Sequence, residues 1–158
     1  MVLNIDYQLT GSGWADCKVQ SADKSCQISA SYLSDALGRL VIAASAVLAG
    51  AHSISVGFDE EPGEFRWVIT NTGGNLWVSV SILSFPELWG ARPDSEGEVM
   101  FSYSCDPSEF ATAVRDAAQN VLDHHGVAGY KKKWVEHEFP SEQLKLLDEA
   151  IARWNSNR

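Results

Sequence analysis

Residues 53–83 read SISVGFDEEPGEFRWVITNTGGNLWVSVSIL, and this stretch predicts an antiparallel sheet. Apolar and polar residues alternate in three runs, which is the period of a half-buried β-strand. The runs are separated by Pro62-Gly63 and by Gly73-Gly74, which favour tight turns because proline fixes φ and glycine accepts positive φ. The shared apolar face would consist of Val56, Phe58, Phe65, Trp67, Ile69, Val78, Val80 and Ile82.

The two turns also predict how the strands pair. Gly73-Gly74, read as a two-residue hairpin loop, sets Trp67 opposite Val80. The turn at residues 60–64, read symmetrically, sets Phe58 opposite Trp67. Both registers keep the apolar residues on one face, whereas a slip of one residue would expose them. We therefore expect Trp67 to be buried between its neighbouring strands.

The residues before this meander predict short strands and a helix. Residues 14–20 and 25–29 alternate in polarity and could form a hairpin. From residue 32 to residue 49, apolar side chains recur every three or four positions, which is the spacing of an amphipathic helix. Ser31 is its expected N-cap, and Gly50 is the expected left-handed residue that follows it.

Beyond the meander, residues 98–104 predict a fourth strand with Val99, Phe101 and Tyr103 on its apolar face. A long loop rich in proline, glycine and acidic residues, residues 85–97, precedes this strand. We expect strands that are clustered with short turns to pair antiparallel, with the helices covering one face of the sheet.

Two helices should follow the sheet. Asp106 is the expected N-cap of the first, with Pro107 in its first turn and Glu109 completing a capping box. Gly126 is expected to end this helix, and residues 127–139 are expected to be irregular. The last helix, beginning near residue 140, would bury Leu144, Leu147, Ile151 and Trp154.

The sequence thus predicts an α+β fold in one globular domain, residues 1–158. The element order is β(2-3)-α-β-β-β-β-α-α, with an antiparallel meander and helices packed on one face. The chain is long enough for a sizeable core, and 45% of its residues are hydrophobic. No internal repeat and no linker interrupts the sequence.

The chain carries a formal net charge of -9, which disfavours nucleic acid and anionic membranes as partners. The charge is concentrated, because residues 51–110 contain ten acidic residues and only two basic ones. A solvated surface is one interpretation of this segment. A face that meets a basic protein partner is the other.

Cysteine spacing and hydropathy predict a cytoplasmic protein with reduced thiols. Cys17, Cys26 and Cys105 form no Cys-x-x-Cys pair and resemble no disulfide framework. Cys17 and Cys26 would lie across from each other if the intervening turn were centred near Ser21, which permits a bond without requiring one. The first ten residues lack the features of a signal peptide, and the longest apolar run is too short for a bilayer.

Motifs for catalysis, cofactors and metals are weak. Gly11-Ser12-Gly13 lacks the further residues of a phosphate-binding loop, and no serine nucleophile motif occurs. Cys105 precedes a helix N-terminus, where a thiol pKa can fall, but the adjacent Asp106 opposes a thiolate. His137 lies between two glutamates and is interpreted as solvated. We therefore predict no catalytic residue, no metal site and no cofactor, and an enzyme is the less favoured class.

Exposed aromatic residues are candidates for contacts with a partner. Trp77 points to the second face of the meander. Either the N-terminal strands or another subunit could cover this face, and the second alternative would make the protein a homodimer. Trp89 lies in the acidic loop with Phe85 and Leu88, where aromatic side chains could anchor an interface. The lysines at 131–133, next to Trp134, do not outweigh the acidic charge, so nucleic acid is not expected.

Residues 58–67 (FDEEPGEFRW) and 134–140 (WVEHEFP) resemble a family of small uncharacterised bacterial proteins. This resemblance covers most of the chain, and it implies no activity and no catalytic residues. In size, acidity and architecture the chain is also similar to the immunity proteins of bacterial toxin systems, which is an analogy of fold alone.

The favoured function is a non-enzymatic binding protein with an acidic surface, of the immunity type. One alternative is a small enzyme whose site assembles only in three dimensions. The other is a structural subunit that dimerises through the second sheet face. The predicted partner-binding residues are Asp59, Glu60, Glu61, Glu64, Trp77, Phe85, Leu88, Trp89, Asp94, Glu96 and Glu98.

Overall fold

The computed structural model describes residues 2–72, 74, 76–88 and 90–157. Within these residues the chain forms two antiparallel sheets and three α-helices, so the predicted α+β fold is confirmed. The elements are β1 (Asn4–Gly11), β2 (Trp14–Gln20), β3 (Ser25–Ser31), α1 (Ala36–Leu48), β4 (Ser53–Asp59), β5 (Glu64–Asn71), β6 (Val78–Phe85), a 3-10 helix (Asp94–Glu96), β7 (Glu98–Cys105), α2 (Pro107–Trp134) and α3 (Ser141–Ser156).

Strands β1, β2 and β3 form an N-terminal sheet, and β4 to β7 form the meander in sequential order. Tyr7 of β1 meets Phe58 of β4 edge to face, with ring centroids 6.3 Å apart. Phe110 of α2 meets Trp67 of β5 at 6.4 Å. The N-terminal sheet and the helices therefore cover the same face of the meander. The expectation that the N-terminal strands cover its second face is wrong.

Trp67 is 0% exposed, as the alternation predicts, but its cross-strand neighbours differ from the prediction. It lies opposite Val56 on one side and Ile82 on the other, instead of Phe58 and Val80. The centre of each turn lies one residue away from its predicted position. As a result, each residue pairs with a partner two positions away from the predicted one. Because side chains alternate with period two, the same residues still face the core.

The turns themselves explain the two shifts. In the first, the amide of Glu60 donates to the carbonyl of Gly63 at 3.0 Å, which centres the turn one residue early. In the second, the amide of Thr72 donates to the carbonyl of Trp77 at 3.0 Å, which makes the loop longer than two residues. Gly73, predicted to occupy this turn, lies outside the described residues.

The pairing of β6 with β7 contains a bulge of one residue. Ile82 pairs with Phe101, whereas the next residue, Leu83, pairs with Val99, so Met100 is the extra residue. Phe101 is buried as predicted. Val99 is 62% exposed, and its predicted place on the core face is wrong, because one inserted residue reverses the alternation.

Helix α1 begins later than predicted. Ser31 belongs to β3, and the N-cap is Asp35, whose side chain accepts a hydrogen bond from the amide of Gly38 at 3.2 Å. The other end agrees with the prediction, since Gly50 follows the helix with φ of 91°.

Helix α2 has the predicted N-cap, because the Asp106 side chain accepts from the amide of Ser108 at 2.8 Å. Glu109 does not complete a capping box and instead accepts from the amide of Leu3 at 2.9 Å. The chain leaves the helical conformation at Gly126, as predicted, but then continues as helix to Trp134. This continuation corrects the irregular segment expected there.

The second part of α2 is helical because its aromatic side chains belong to the core. Tyr130 and Trp134 lie one helical turn apart, both are fully buried, and their rings stack at 6.2 Å. The indole of Trp134 also donates to the carbonyl of Ser34 at 3.2 Å. In α3, Leu144, Leu147 and Ile151 are buried as predicted. No helix among the described residues has the length and hydropathy needed to cross a membrane.

Candidate functional site

The structure brings two groups of acidic residues, one within residues 59–64 and one within residues 87–98, to one end of the meander. Glu64 of β5 pairs with Phe85 of β6, so the β4–β5 turn and the loop after β6 are neighbours. The amide of Leu88 donates to the carbonyl of Pro62 at 2.7 Å and joins the two directly. We call the following residues the acidic end: Asp59, Glu60, Glu61, Glu64, Glu87, Asp94, Glu96 and Glu98.

Arg66 fixes the loop to the sheet. Its guanidinium group donates to the carbonyl of Arg92 at 2.8 Å and to the Asp94 carboxylate at 2.9 Å, and it contacts Glu64 at 3.1 Å. The same group lies over the ring of Phe85, 4.1 Å from the ring centroid. Arg66 therefore forms ion pairs with two carboxylates, those of Glu64 and Asp94, and holds the loop in one position.

Most of the negative charge at the acidic end faces solvent. Glu61, Glu87, Asp94, Glu96 and Glu98 are exposed, while Asp59, Glu60 and Glu64 are half-buried. Arg66 and Arg92 are the two basic residues of these segments, so eight carboxylates less two guanidinium groups leave a formal charge of -6. Such a surface attracts cationic groups and repels anionic ones.

The apolar residues predicted to accompany these acids are only partly available. Phe85 is 2% exposed beneath Arg66, so its predicted role as a contact residue is wrong. Leu88 is half-buried, and Trp89 lies outside the described residues. Val99 and Met100 are exposed instead, next to Glu98. The alternation pattern placed Val99 in the core, and no local signal in the sequence marks the bulge that turns it outward.

Trp77 does not belong to the acidic end. It is 54% exposed, but it precedes β6 at the opposite end of the meander. The seven residue-to-residue steps from Val78 to Phe85 separate the two ends by about 23 Å, at roughly 3.3 Å per step. Trp77 and Leu76 form a separate exposed apolar patch, which the acids do not surround.

The second face of the meander consists mainly of small hydroxyl side chains. Ser55, Val68, Ser81 and Ser102 are aligned across the four strands in one row. Ser53, Thr70, Ser79 and Ser104 form the next row. All eight are half-buried or exposed. The hypothesis that a subunit docks on this face remains a prediction.

The thiol of Cys105 lies in a setting that opposes nucleophilic chemistry. Its side chain is buried, and this burial raises the pKa of the thiol to about 12, with the Glu109 carboxylate acting in the same direction. A reactive thiol needs the opposite shift. Cys105 therefore serves as a small apolar residue of the core.

An open cleft of about 520 Å³ at the start of α2 contains Asp106, Glu109 and Asp116. Glu109 is committed to structural contacts, since it accepts from the amide of Leu3 and from the Tyr103 hydroxyl at 2.6 Å. Among the described residues, no group of three His, Cys, Asp or Glu side chains is arranged to hold a metal ion. His137, predicted to be solvated, is half-buried between two exposed glutamates.

Comparisons of this chain with protein-family models, with curated proteins and with solved structures each found no significant match. The likeness to a family of small bacterial proteins and to immunity proteins therefore stays a prediction.

Proposed function

We propose that this chain is a non-enzymatic binding protein, of the immunity type, whose acidic end contacts a basic protein partner. One observation supports the proposal above the others. Two acidic segments that are separated along the chain form a single surface, and exposed Val99 and Met100 lie at its border. Charge and an apolar anchor are thus available within one contact area.

The two components have different physical roles in this proposal. Long-range attraction to the acidic end raises the rate of association with a basic partner, and added salt weakens this attraction. Burial of Val99 and Met100 slows dissociation, because removing apolar side chains from water stabilises the complex. The contacts of Arg66 with Arg92 and Asp94 hold the loop in place before binding, which lowers the entropy lost on association.

The test compares two variants with the same change in net charge. The first replaces Glu60, Glu61, Glu96 and Glu98 by glutamine and keeps Glu64 and Asp94, because those two bind Arg66. The matched control replaces four exposed acids from the other end of the chain, Glu136, Glu138, Glu142 and Glu149, by glutamine.

Each protein is used to capture partners from native lysate at low and high salt, and the captured proteins are identified by mass spectrometry. We expect the first variant to associate about tenfold more slowly with the captured partner at low salt, and the control to match the wild type. If the first variant captures the same partner equally well at both salt concentrations, the electrostatic proposal is wrong. An equal loss in the control would show that net charge, and not this surface, controls binding.

A further inference from the structure

The two edge strands of the meander, β4 and β7, differ in how they are protected against pairing with another chain. This feature is separate from the acidic end. On the β7 edge, the Met100 bulge interrupts the strand, and the ammonium group of Lys24 donates to the carbonyl of Ser102 at 3.1 Å. Bulges and lysine side chains are features that prevent an edge strand from pairing with another chain.

The β4 edge has neither feature. It pairs with β5 over all seven residues without a shift, and residues 53–58 contain no charged side chain. The amide of Asn71 donates to the carbonyl of His52, so even-numbered residues direct their backbone groups toward β5. The amide of Asp59 donates outward to the Ser34 hydroxyl at 3.3 Å. It follows that Ser53, Ser55 and Gly57 direct their N–H and C=O groups away from the sheet.

An apolar groove runs beside this edge. Helix α1 and strand β4 line a groove of about 280 Å³. Ile42 is 52% exposed there, on a helix whose other large apolar side chains are buried. In the part of the chain that the structure describes, no strand pairs with β4 on this side. The lining residues are Arg39, Ile42, Ala43, Ala46, Ala51, Ile54, Ser55 and Val56.

We propose that a second copy of this chain occupies the edge, with the two β4 strands antiparallel about a two-fold axis at Ser55. This pairing sets Ser53 opposite Gly57 of the other copy and joins the two meanders into one eight-stranded sheet. The residues that meet are small, so the backbones can approach to the usual strand spacing. The apolar groove beside each edge is then covered by the other copy.

Charge favours this orientation of the two copies. Each copy has a formal charge of -9, with its acidic end beginning at Asp59. An antiparallel arrangement places the two acidic ends at opposite ends of the pair. Arg39 is the one charged residue of the groove, so the contact itself holds no carboxylate repulsion. A parallel arrangement would bring the two acidic ends together.

The first experiment measures molar mass by light scattering and sedimentation from about 1 to about 200 µM protein. We expect a wild-type dimer of about 35 kDa, twice the 17.3 kDa chain. Ser55→Pro removes an amide that faces away from the sheet, so it should weaken dimerisation at least tenfold without unfolding the chain. The matched control is Ser104→Pro on the β7 edge, which should leave the dimer unchanged.

Ser55→Lys is a second variant that retains the backbone amide. It sets two ammonium groups directly opposite each other across the axis, which destabilises a strand pair, and it should also give a monomer. Circular dichroism of each variant reports whether the fold is kept. A wild type that stays monomeric to the highest concentration overturns the proposal, and so does a dimer that survives both substitutions or is lost equally in Ser104→Pro.

Amide exchange locates the contact. The amides of Ser55 and Gly57 should exchange more slowly as protein concentration rises, whereas those of Ile54 and Val56, which face β5, should not change. Slow exchange of Ser55 and Gly57 in a monomer carrying a co-purified peptide would replace the second copy with another occupant and overturn the proposal.

Discussion

Strands β5 and β7 both pair with β6, and each departs from the prediction, the first in its register and the second in the face that Val99 occupies. The β5–β6 register is shifted by two residues, and every side chain predicted to face the core still does so. The β6–β7 pairing contains a single extra residue, Met100, and Val99 moves from the core face to the surface. Alternation in a sequence therefore still predicts which side chains face the core when the register shifts by two residues. It fails where a single residue is inserted.

The largest effect on stability should come from Trp67, which stays on the core face although its register is shifted by two residues. Trp67→Ala should lower the free energy of unfolding by about 3–5 kcal/mol, the range for removing a large buried side chain. The indole touches Phe58 and Phe110, with ring centroids 5.9 and 6.4 Å away, so truncation leaves a cavity among aromatic rings. Urea denaturation measures the loss.

Two controls make this result specific. Val68→Ala, on the second face of the same strand, should cost less than about 1 kcal/mol because its side chain is half-buried. Trp67→Phe should cost less than Trp67→Ala, because it keeps a ring and removes an indole N–H that is buried without a partner among the described residues. Equal costs for Val68→Ala and Trp67→Ala would contradict the assigned core face.

A matched pair of substitutions tests the bulge. Val80→Thr and Val99→Thr make the same chemical change in neighbouring strands, and the original alternation placed both valines in the core. Val80 is fully buried, so its hydroxyl variant should lose about 1–3 kcal/mol. Val99→Thr should change stability by less than about 0.5 kcal/mol, as expected for an exposed site.

Thermal or urea unfolding of the two variants measures this difference. Similar losses in both would mean that Val99 lies in the core and that the strand has no bulge. A loss at Val80 alone supports the one-residue shift.

The sequence predicted the order of the elements, with two or three strands before the first helix and four after it, because alternation, turn residues and helix caps agree locally. It misplaced the start of α1, since Ser31 is an acceptable N-cap in isolation and only pairing with β2 draws it into β3. It also missed the helix that leads to Trp134. Burial of Tyr130 and Trp134 against distant residues stabilises that helix, and local propensity does not report such contacts.

The candidate site was predicted in part. The acids of the β4–β5 turn and of the following loop were both predicted as partner-binding residues, and the structure brings them together because both segments connect strands at the same end of the meander. Trp77 was grouped with them although it belongs to the opposite end. The burial of Phe85 depends on Arg66 folding over it, which is a contact between strands that no local pattern encodes.

The smallest effect concerns the pairing of β2 with β3, where the register is shifted by two residues from the one that would set Cys17 opposite Cys26. Cys17 pairs with Ile28, and Cys26 pairs with Val19, so the two cysteines are diagonal neighbours. They would be directly opposite only if the turn were centred near Ser21. Diagonal side chains lie about 7–8 Å apart, too far for a disulfide. All three cysteines are free in the structure. Thiol titration in denaturant should therefore count three.

Titration of the native protein should be slow and ordered. Burial raises the pKa of the Cys26 thiol to about 11 and that of Cys105 to about 12, so little thiolate is present at pH 8. Cys26 is half-buried and should react first, with its rate rising as pH approaches 11, while Cys17 and Cys105 remain unreactive. A denatured count of one would show that two cysteines are bonded.

Several hydrogen bonds join residues about a hundred positions apart, and they affect how the chain is made. The amide of Leu3 binds Glu109, the amide of Gly13 binds the carbonyl of Lys133, and Trp134 binds Ser34. A ribosome adds about 5–20 residues per second, so β1 waits roughly 5–20 s for the first turn of α2. During that interval Ile5 and Tyr7 remain without the helix that covers them. Nascent chains stalled before residue 107 should therefore recruit chaperones, and chains released at full length should not.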